Sequence, residues 1–344
     1  MSNIEKQPLD WANLDFSYHT TSMRYVANYR NGKWEQGGLT EDPNVVLNEC
    51  AGIFHYCQEV FEGLKAYETK QGHIVTFRPD LNAQRMYDSA QLMQIPPFPQ
   101  EWFLHAVDEV VKANASWVPP HESGASLYIR PYIIASGEVI GVAPAKEYMF
   151  RILTTPVGPY FKGGVRPLKL CVSKYDRAAP HGTGMIKAGL NYAMSLHAYV
   201  EAHKAGFDEN MFLDPATRTY VEETGGANFL FVTRDKEIVI PKSPSILPSI
   251  TRRSLTYVAE HYAHHKVTER PVRLEEVKDF VECGLCGTAA VIAPVGRVFN
   301  GDEEIVFKDC ADRMGPVLQN LYDTLIGIQH GTIEAPEGWI RKIL

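Results

Sequence analysis

The strongest constraint on how this chain can fold is a break near its middle. Thr155-Pro156-Val157-Gly158-Pro159-Tyr160-Phe161-Lys162-Gly163-Gly164 holds two prolines and three glycines in ten residues. Proline withholds a backbone donor and glycine loosens the backbone, so the stretch reads as an interdomain loop over 156–166. It leaves one domain at 1–155 and another at 167–344. A chain of 344 residues has room for two domains of roughly 100–200 residues, and an apolar content of 45% fills a core in each.

Strands dominate the first side. Residues 24–29 read as a strand ending at Asn31-Gly32, a strong hairpin signal, and 74–77 and 126–130 read as further strands. Between them, 83–92 reads as a helix capped by Asp80 or Asn82. Residues 102–117 space Phe103, Val107, Val110, Val111 and Asn114 at helical intervals. Interleaved helices and strands predict an α/β or α+β domain. On the second side, 168–172, 210–214, 228–232 and 237–240 read as strands. Helices at about 190–205 and about 251–264 interrupt them. Leu255, Val258, Ala259 and Tyr262 give the second helix an apolar stripe, with Ser249 as its N-cap. That pattern predicts a strand-rich, barrel-like body.

Composition removes several classes of function. Net charge is −7, and no basic tail or arginine-rich run appears, so no nucleic-acid partner is expected. Met1 to Asp15 is polar and lacks the apolar core of a signal peptide. The longest apolar stretches, such as Ala289-Ala290-Val291-Ile292-Ala293-Pro294-Val295, fall far below the roughly 20 residues of a membrane span. Six cysteines do not make a disulfide scaffold in a chain this long, so a reducing cytoplasm is expected.

The chemistry gathers after the break. Gly182-Thr183-Gly184-Met185-Ile186-Lys187-Ala188-Gly189-Leu190-Asn191-Tyr192 sets one lysine among small residues, where a flat ligand can approach the backbone. Glu222-Glu223-Thr224-Gly225-Gly226-Ala227-Asn228 follows, then Leu247-Pro248-Ser249-Ile250-Thr251-Arg252-Arg253. A lysine, a carboxylate beside glycines and a helix start are the parts a pyridoxal phosphate site needs: a Schiff-base amine, a partner for the ring nitrogen and a phosphate cradle. Each also has a plain alternative. Lys187 could coat a surface, Glu222 and Glu223 could form a solvated hairpin corner, and Tyr192 could be ordinary helix packing. Arg85 could bring a guanidinium to phosphate or form a helix-surface salt bridge. Gly287-Thr288-Ala289 offers a second small-residue turn with a hydroxyl and an N–H. Cys283-Gly284-Leu285-Cys286 could be half of a metal site or a redox pair, though no second pair of matching spacing follows, so no metal is expected.

These residues, in this order, resemble the branched-chain amino acid aminotransferases among the fold-type IV pyridoxal phosphate enzymes. The likeness covers nearly the whole chain. It is carried by Phe61-Glu62-Gly63-Leu64-Lys65-Ala66-Tyr67, Phe77-Arg78-Pro79-Asp80-Leu81-Asn82, Ala125-Ser126-Leu127-Tyr128-Ile129-Arg130-Pro131 and Pro156-Val157-Gly158-Pro159-Tyr160-Phe161. Gly182-Thr183-Gly184 before Lys187, and Leu247-Pro248-Ser249-Ile250-Thr251-Arg252, complete it. They favour the larger subgroup that includes the animal enzymes.

The resemblance implies a small α/β N-terminal domain and a larger strand-rich pseudo-barrel that binds the cofactor. It implies reversible amino transfer between leucine, isoleucine or valine and 2-oxoglutarate. Lys187 would form the Schiff base, Tyr192 would meet the cofactor's phenolic oxygen, and Glu223 its ring nitrogen. Arg85, Ile250, Thr251 and Thr288 would bind phosphate. Phe61, Tyr128 and Tyr160 would line an apolar pocket, and Arg130 would take the distal carboxylate of glutamate. Tyr56 and Val142 would reach the partner subunit's site, making the active unit a homodimer. Two departures stand out. The family's redox cysteines after the Gly-Thr-Ala turn fall here on Ala290 and Ala293. A threonine of the family's pattern falls on Gly226, leaving the N–H groups of Gly226 and Ala289 for the substrate carboxylate.

Overall fold

A computed structural model describes residues 4–158, 166–179 and 181–344. The chain divides into two compact units. The first comprises Met1–Tyr160, Ile186–Gly189 and Ile328–Leu344, and the second Phe161–Met185 and Leu190–Gly327. Two short returns, one of them holding Lys187, therefore belong to the first unit. Among the described residues no helix is long and apolar enough to cross a membrane.

The first unit is built on one sheet of β1 (Arg24–Arg30), β2 (Lys33–Trp34), β3 (Gly38–Thr40), β4 (Glu59–Phe61), β5 (Leu64–Glu68), β6 (Ile74–Phe77), β7 (Ser126–Ala135) and β8 (Tyr148–Val157), edged by Ile340–Lys342. The hairpin expected at Asn31-Gly32 is there: both residues have positive φ, and Arg30 faces Lys33. β7 runs along β8 for ten paired residues, and β4 and β5 line its other edge. Short helix α1 (Gly52–Tyr56) precedes β4; α2 (Pro79–Leu92) and α3 (Gln100–Ala113) follow β6.

Sequence patterning located both long helices and the Leu92 end of α2, but missed the start of α2 and both ends of α3. α2 is not capped by Asp80 or Asn82. It starts at Pro79, whose ring presets the first helical φ, and Asn82 turns inward to donate to Glu62. α3 stops at Ala113 rather than running to Trp117. The reason is Asn114, whose side chain bonds the Val110 carbonyl and both backbone groups of Met23 at 2.9–3.0 Å. A polar residue at the end of the apolar stripe thus stitches a helix terminus to the segment leading into β1. Phe103, Val107, Val110 and Val111 are fully buried beneath it, each contributing roughly 1.5–3 kcal/mol of transfer energy.

The second unit holds an eight-stranded mixed sheet of β9 (Leu168–Val172), β10 (Glu209–Met211), β11 (Asn228–Val232), β12 (Ile238–Pro241), β13 (Val267–Arg270), β14 (Glu282–Gly287), β15 (Val291–Asn300) and β16 (Glu303–Val306). Phe229, Phe231 and Phe280 stack through its core at 5.4 and 4.8 Å between centroids. Helices α4 (Gly189–Lys204), α5 (Ile250–His261) and α6 (Pro316–Gln329) are the remaining α-helices among the described residues. Ser249 is the N-cap of α5 as expected, its hydroxyl accepting from Arg252 N–H at 3.2 Å. α5 ends at His261, three residues short of the expected end, and His264 has a positive φ.

Candidate active site

In the first unit the site is built on one sheet face. Tyr128 and Arg130 stand two apart on β7, so they share a face. Register places Lys65 opposite Tyr128 and Phe61 opposite Tyr132 on it. Residues 186–189 are tied beside β4. Phe61 N–H donates to the Lys187 carbonyl at 3.0 Å, Lys187 N–H to Ser89 Oγ at 3.1 Å, and Gly189 N–H to the Glu59 carboxylate. The Lys187 ammonium then lies 4.6 Å from the Phe61 ring centroid, on an aromatic face that favours a cation. Arg130 holds its guanidinium 4.8 Å from the same ring and donates to the Tyr128 hydroxyl at 3.0 Å. Gly63 lets that phenol come close, since a Cβ there would sit 2.2 Å from the Tyr128 oxygen.

Charge on this face is predominantly positive. Lys65 is buried, and desolvation pulls its ammonium down to about 8. Burial raises the Glu59 carboxyl above its ordinary range, against the Gly189 N–H and the charges of Arg130 and Lys187. An amine, an aromatic wall and cations therefore occur together.

In the second unit the centre is Glu223, 3% exposed. It accepts from Asn228 Nδ2 at 2.6 Å and Leu247 N–H at 2.9 Å, and lies 2.9 Å from Arg177 Nη2. Glu222 is buried too, bonded by the Ser243 hydroxyl at 2.6 Å, and burial raises its pKa. The solvated-corner alternative for these glutamates is therefore wrong; their turn folds inward. Gly226 lies at its exposed tip, where the Thr224 hydroxyl accepts from the N–H groups of Gly226 and Ala227 at 3.3 and 2.9 Å. Thr288 and Ala289 lie in the β14–β15 turn, which starts next to the Gly226 carbonyl: a Cβ on Gly287 would be 3.6 Å from it. Ile250 and Thr251 open α5, where first-turn N–H groups and the helix dipole favour an anion.

Among the described residues, the donor set fits pyridoxal phosphate. It offers an amine for its aldehyde, a buried carboxylate for a protonated ring nitrogen and a helix N-terminus for phosphate. Beside the carboxylate, Asn228 Oδ1 is buried without a hydrogen-bond partner, and at the exposed tip of the turn nothing stands within 4 Å of where a Gly226 side chain would be.

Residues 59–298 match the sequence profile of the amino-transferase class IV family. The chain is 48% identical to the branched-chain-amino-acid aminotransferase of Haemophilus influenzae, over 97% of this chain and 99% of that one. This chain belongs to that family. The Helicobacter pylori enzyme of the same name is 44% identical over the full length of both chains. The T.th. branched-chain amino acid aminotransferase, solved with N-(5'-phosphopyridoxyl)-L-glutamate and with 4-methylvaleric acid, superposes with a TM-score of 0.78 at 26% identity, covering 95% of this chain and 100% of that one. The fold is that of the fold-type IV aminotransferases.

Within this aminotransferase, Lys187, Phe61, Tyr128 and Arg130 come together on the first unit. On the second, the turn from Glu223 to Asn228 carries Gly226 and lies beside the start of the β14–β15 turn that holds Thr288 and Ala289, and Ile250 and Thr251 open α5. Tyr192 is half-buried in the first turn of α4. Tyr160 lies outside the described residues. Val142 is 90% exposed on a loop of the first unit, and Tyr56, the last residue of α1, donates its hydroxyl to the Ile140 carbonyl of the same loop. Arg85 is not on a helix surface: it is buried in a two-pronged pair with Glu62, at 2.7 and 2.8 Å. Cys283 and Cys286 stand three apart on β14, so they face opposite sides. Both are buried, with the Cys286 thiol pushed up to about 12, which disfavours thiolate chemistry. Sequence reading missed Glu59, Lys65 and Arg177. Lys65 lies within the segment 61–67, where the resemblance assigns it no role, and each of the three acquires its meaning from a neighbour distant in sequence.

Proposed function

We propose that this aminotransferase moves an amino group reversibly between L-leucine, L-isoleucine or L-valine and 2-oxoglutarate, with Lys187 bonding the cofactor. The observation that carries this reading is the pairing of the Lys187 amine with Phe61, beside the Arg130–Tyr128 pair. One face offers a wall for a branched apolar chain and a cation for a distal carboxylate, which is what two unlike substrates sharing a pocket require. The T.th. enzyme, solved with an apolar acid and with a glutamate adduct, supports the same pairing.

Pyridoxal phosphate, when bound, supplies the carbonyl that condenses with amino groups and the electron sink for the α-carbon. Lys187 takes the α-proton and returns it. Glu223 accepts from the ring N–H, and Tyr192 donates to the phenolic oxygen. Arg85, Ile250, Thr251 and Thr288 hold phosphate, and the N–H groups of Gly226 and Ala289 receive the substrate α-carboxylate. Phe61, Tyr128 and Tyr160 line the side-chain pocket, with Tyr56 and Val142 contributed by a second copy in a homodimer. A reducing cytoplasm is the proposed compartment, on composition alone.

Absorbance of the cofactor-loaded protein tests this. L-leucine and L-glutamate should each bleach the yellow band, and D-alanine should not; bleaching by D-alanine alone would identify a D-amino acid transaminase instead. Lys187→Ala should lower turnover by at least about 1,000-fold, as expected for the loss of a covalent and proton-transfer group. Wild-type turnover in that variant would sink the proposal.

A further inference from the structure

The second unit buries a guanidinium to which none of the steps above assigns a task. Arg177 is 5% exposed. Its Nη2 lies 2.9 Å from Glu223 Oε1, and donates to the Gly184 carbonyl at 2.9 Å and the Ser245 carbonyl at 2.5 Å. The three acceptors belong to three segments. Gly184 stands three residues before Lys187, Glu223 is the proposed ring partner, and Ser245 begins the run to the Ser249 cap of α5. Gly184 has to be glycine for this to close: a Cβ would sit 2.5 Å from the Ser245 oxygen and 3.0 Å from Arg177 Nη2.

Charge explains why an arginine occupies this point. A carboxylate as buried as Glu223 takes up a proton unless a cation or several donors hold it ionised. Asn228 and Leu247 bring hydrogen bonds but no charge. Arg177 brings a cation within ion-pair distance of Glu223, and a guanidinium does not lose its proton. A pair made only to brace the fold would also leave few buried polar atoms over. Here Arg177 Nε and Asn228 Oδ1 are both buried without hydrogen-bond partners.

We propose that Arg177 is a positioning residue: it keeps Glu223 an ionised, oriented carboxylate and ties the Gly184 and Ser245 segments to it, so that this half of the cofactor site stands formed before the cofactor arrives. The inference rests on the roles of Lys187 and Glu223 given under Proposed function.

A double-mutant cycle on cofactor affinity tests it, titrating apoprotein with pyridoxal phosphate and following absorbance and tryptophan fluorescence. Arg177→Gln should still fold, by circular dichroism, yet bind roughly tenfold more weakly. On a Glu223→Gln background the same change should cost less than about threefold, because the carboxylate it serves is gone. Arg177→Lys, which keeps the charge, should recover part of the affinity. An unchanged affinity in Arg177→Gln, or an equal loss on both backgrounds, overturns the proposal. Should Arg177→Gln not fold, the cycle is run with Arg177→Lys, whose smaller loss must vanish once Glu223 is glutamine; a loss that persists overturns it too. Wild-type apoprotein that takes up no cofactor would instead defeat the proposed function itself.

Discussion

Each unit of this chain buries an arginine–glutamate pair, and the two are built for different ends. In the first unit Arg85 meets Glu62 fork to fork, and the same carboxylate accepts from Asn82 at 2.7 Å and Gly63 N–H at 3.2 Å. Glu62 is thereby filled, and the result is a joint between α2 and the β4–β5 corner that fixes Arg85, the guanidinium proposed to hold phosphate. In the second unit one nitrogen of Arg177 is shared between Glu223 and two carbonyls, with polar atoms of Arg177 and Asn228 left over. A carboxylate consumed by its neighbours braces a fold. A pair with unused polar capacity is suited to receive a third group, so two equally buried ion pairs differ in what their carboxylates leave open.

The comparison can be broken most directly at the two glutamates. Glu62→Gln should cost about 3–5 kcal/mol in urea unfolding of the apoprotein, since it strands the buried Arg85. Glu223→Gln should cost less than half of that, because Arg177 keeps two carbonyls, while tight cofactor uptake is lost. Equal stability losses would dissolve the distinction between the two pairs.

Lys65 sharpens it from the other side, as a buried cation whose position costs stability. Its folded pKa of about 8 lies below the ordinary 10.5 because of desolvation, so the unfolded chain binds more protons between those values. Its contribution to stability is full above pH 10.5 and falls as pH drops toward 8. Lys65→Met should therefore raise stability at pH 7 by about 3 kcal/mol and flatten the rise between pH 8 and 10.5. A less stable variant would mean that contacts of the ammonium outweigh its desolvation.

The smallest effect belongs to α5. Ser249→Ala removes the cap on Arg252 N–H and should cost about 1 kcal/mol in thermal unfolding. Cofactor affinity should drop only a few-fold, since the first-turn N–H groups remain.

Much of this was written locally. The Asn31-Gly32 hairpin, the Ser249 cap and the strand at Asn228–Val232 follow from residues within a few positions of one another, and each lies where its pattern indicated. The order of Lys187, Glu223 and the α5 start was equally legible, because a cofactor site needs those groups in kind whatever the packing. Helix ends were less so. Asn114 halts α3 through Met23, which no helical periodicity can register.

What the sequence determined by itself is therefore the set of elements and the chemical parts, since turn geometry, capping and side-chain alternation act over a few residues. What only the tertiary structure decided is which charges are buried and what each is paired with. Glu62 finds Arg85 across 23 positions, and Arg177 reaches Ser245 across 68. The cost of burying a charge depends on donors and acceptors that folding alone brings within hydrogen-bond reach. No local pattern specifies them, so Arg177 and Lys65 looked like any other cations until the chain closed around them.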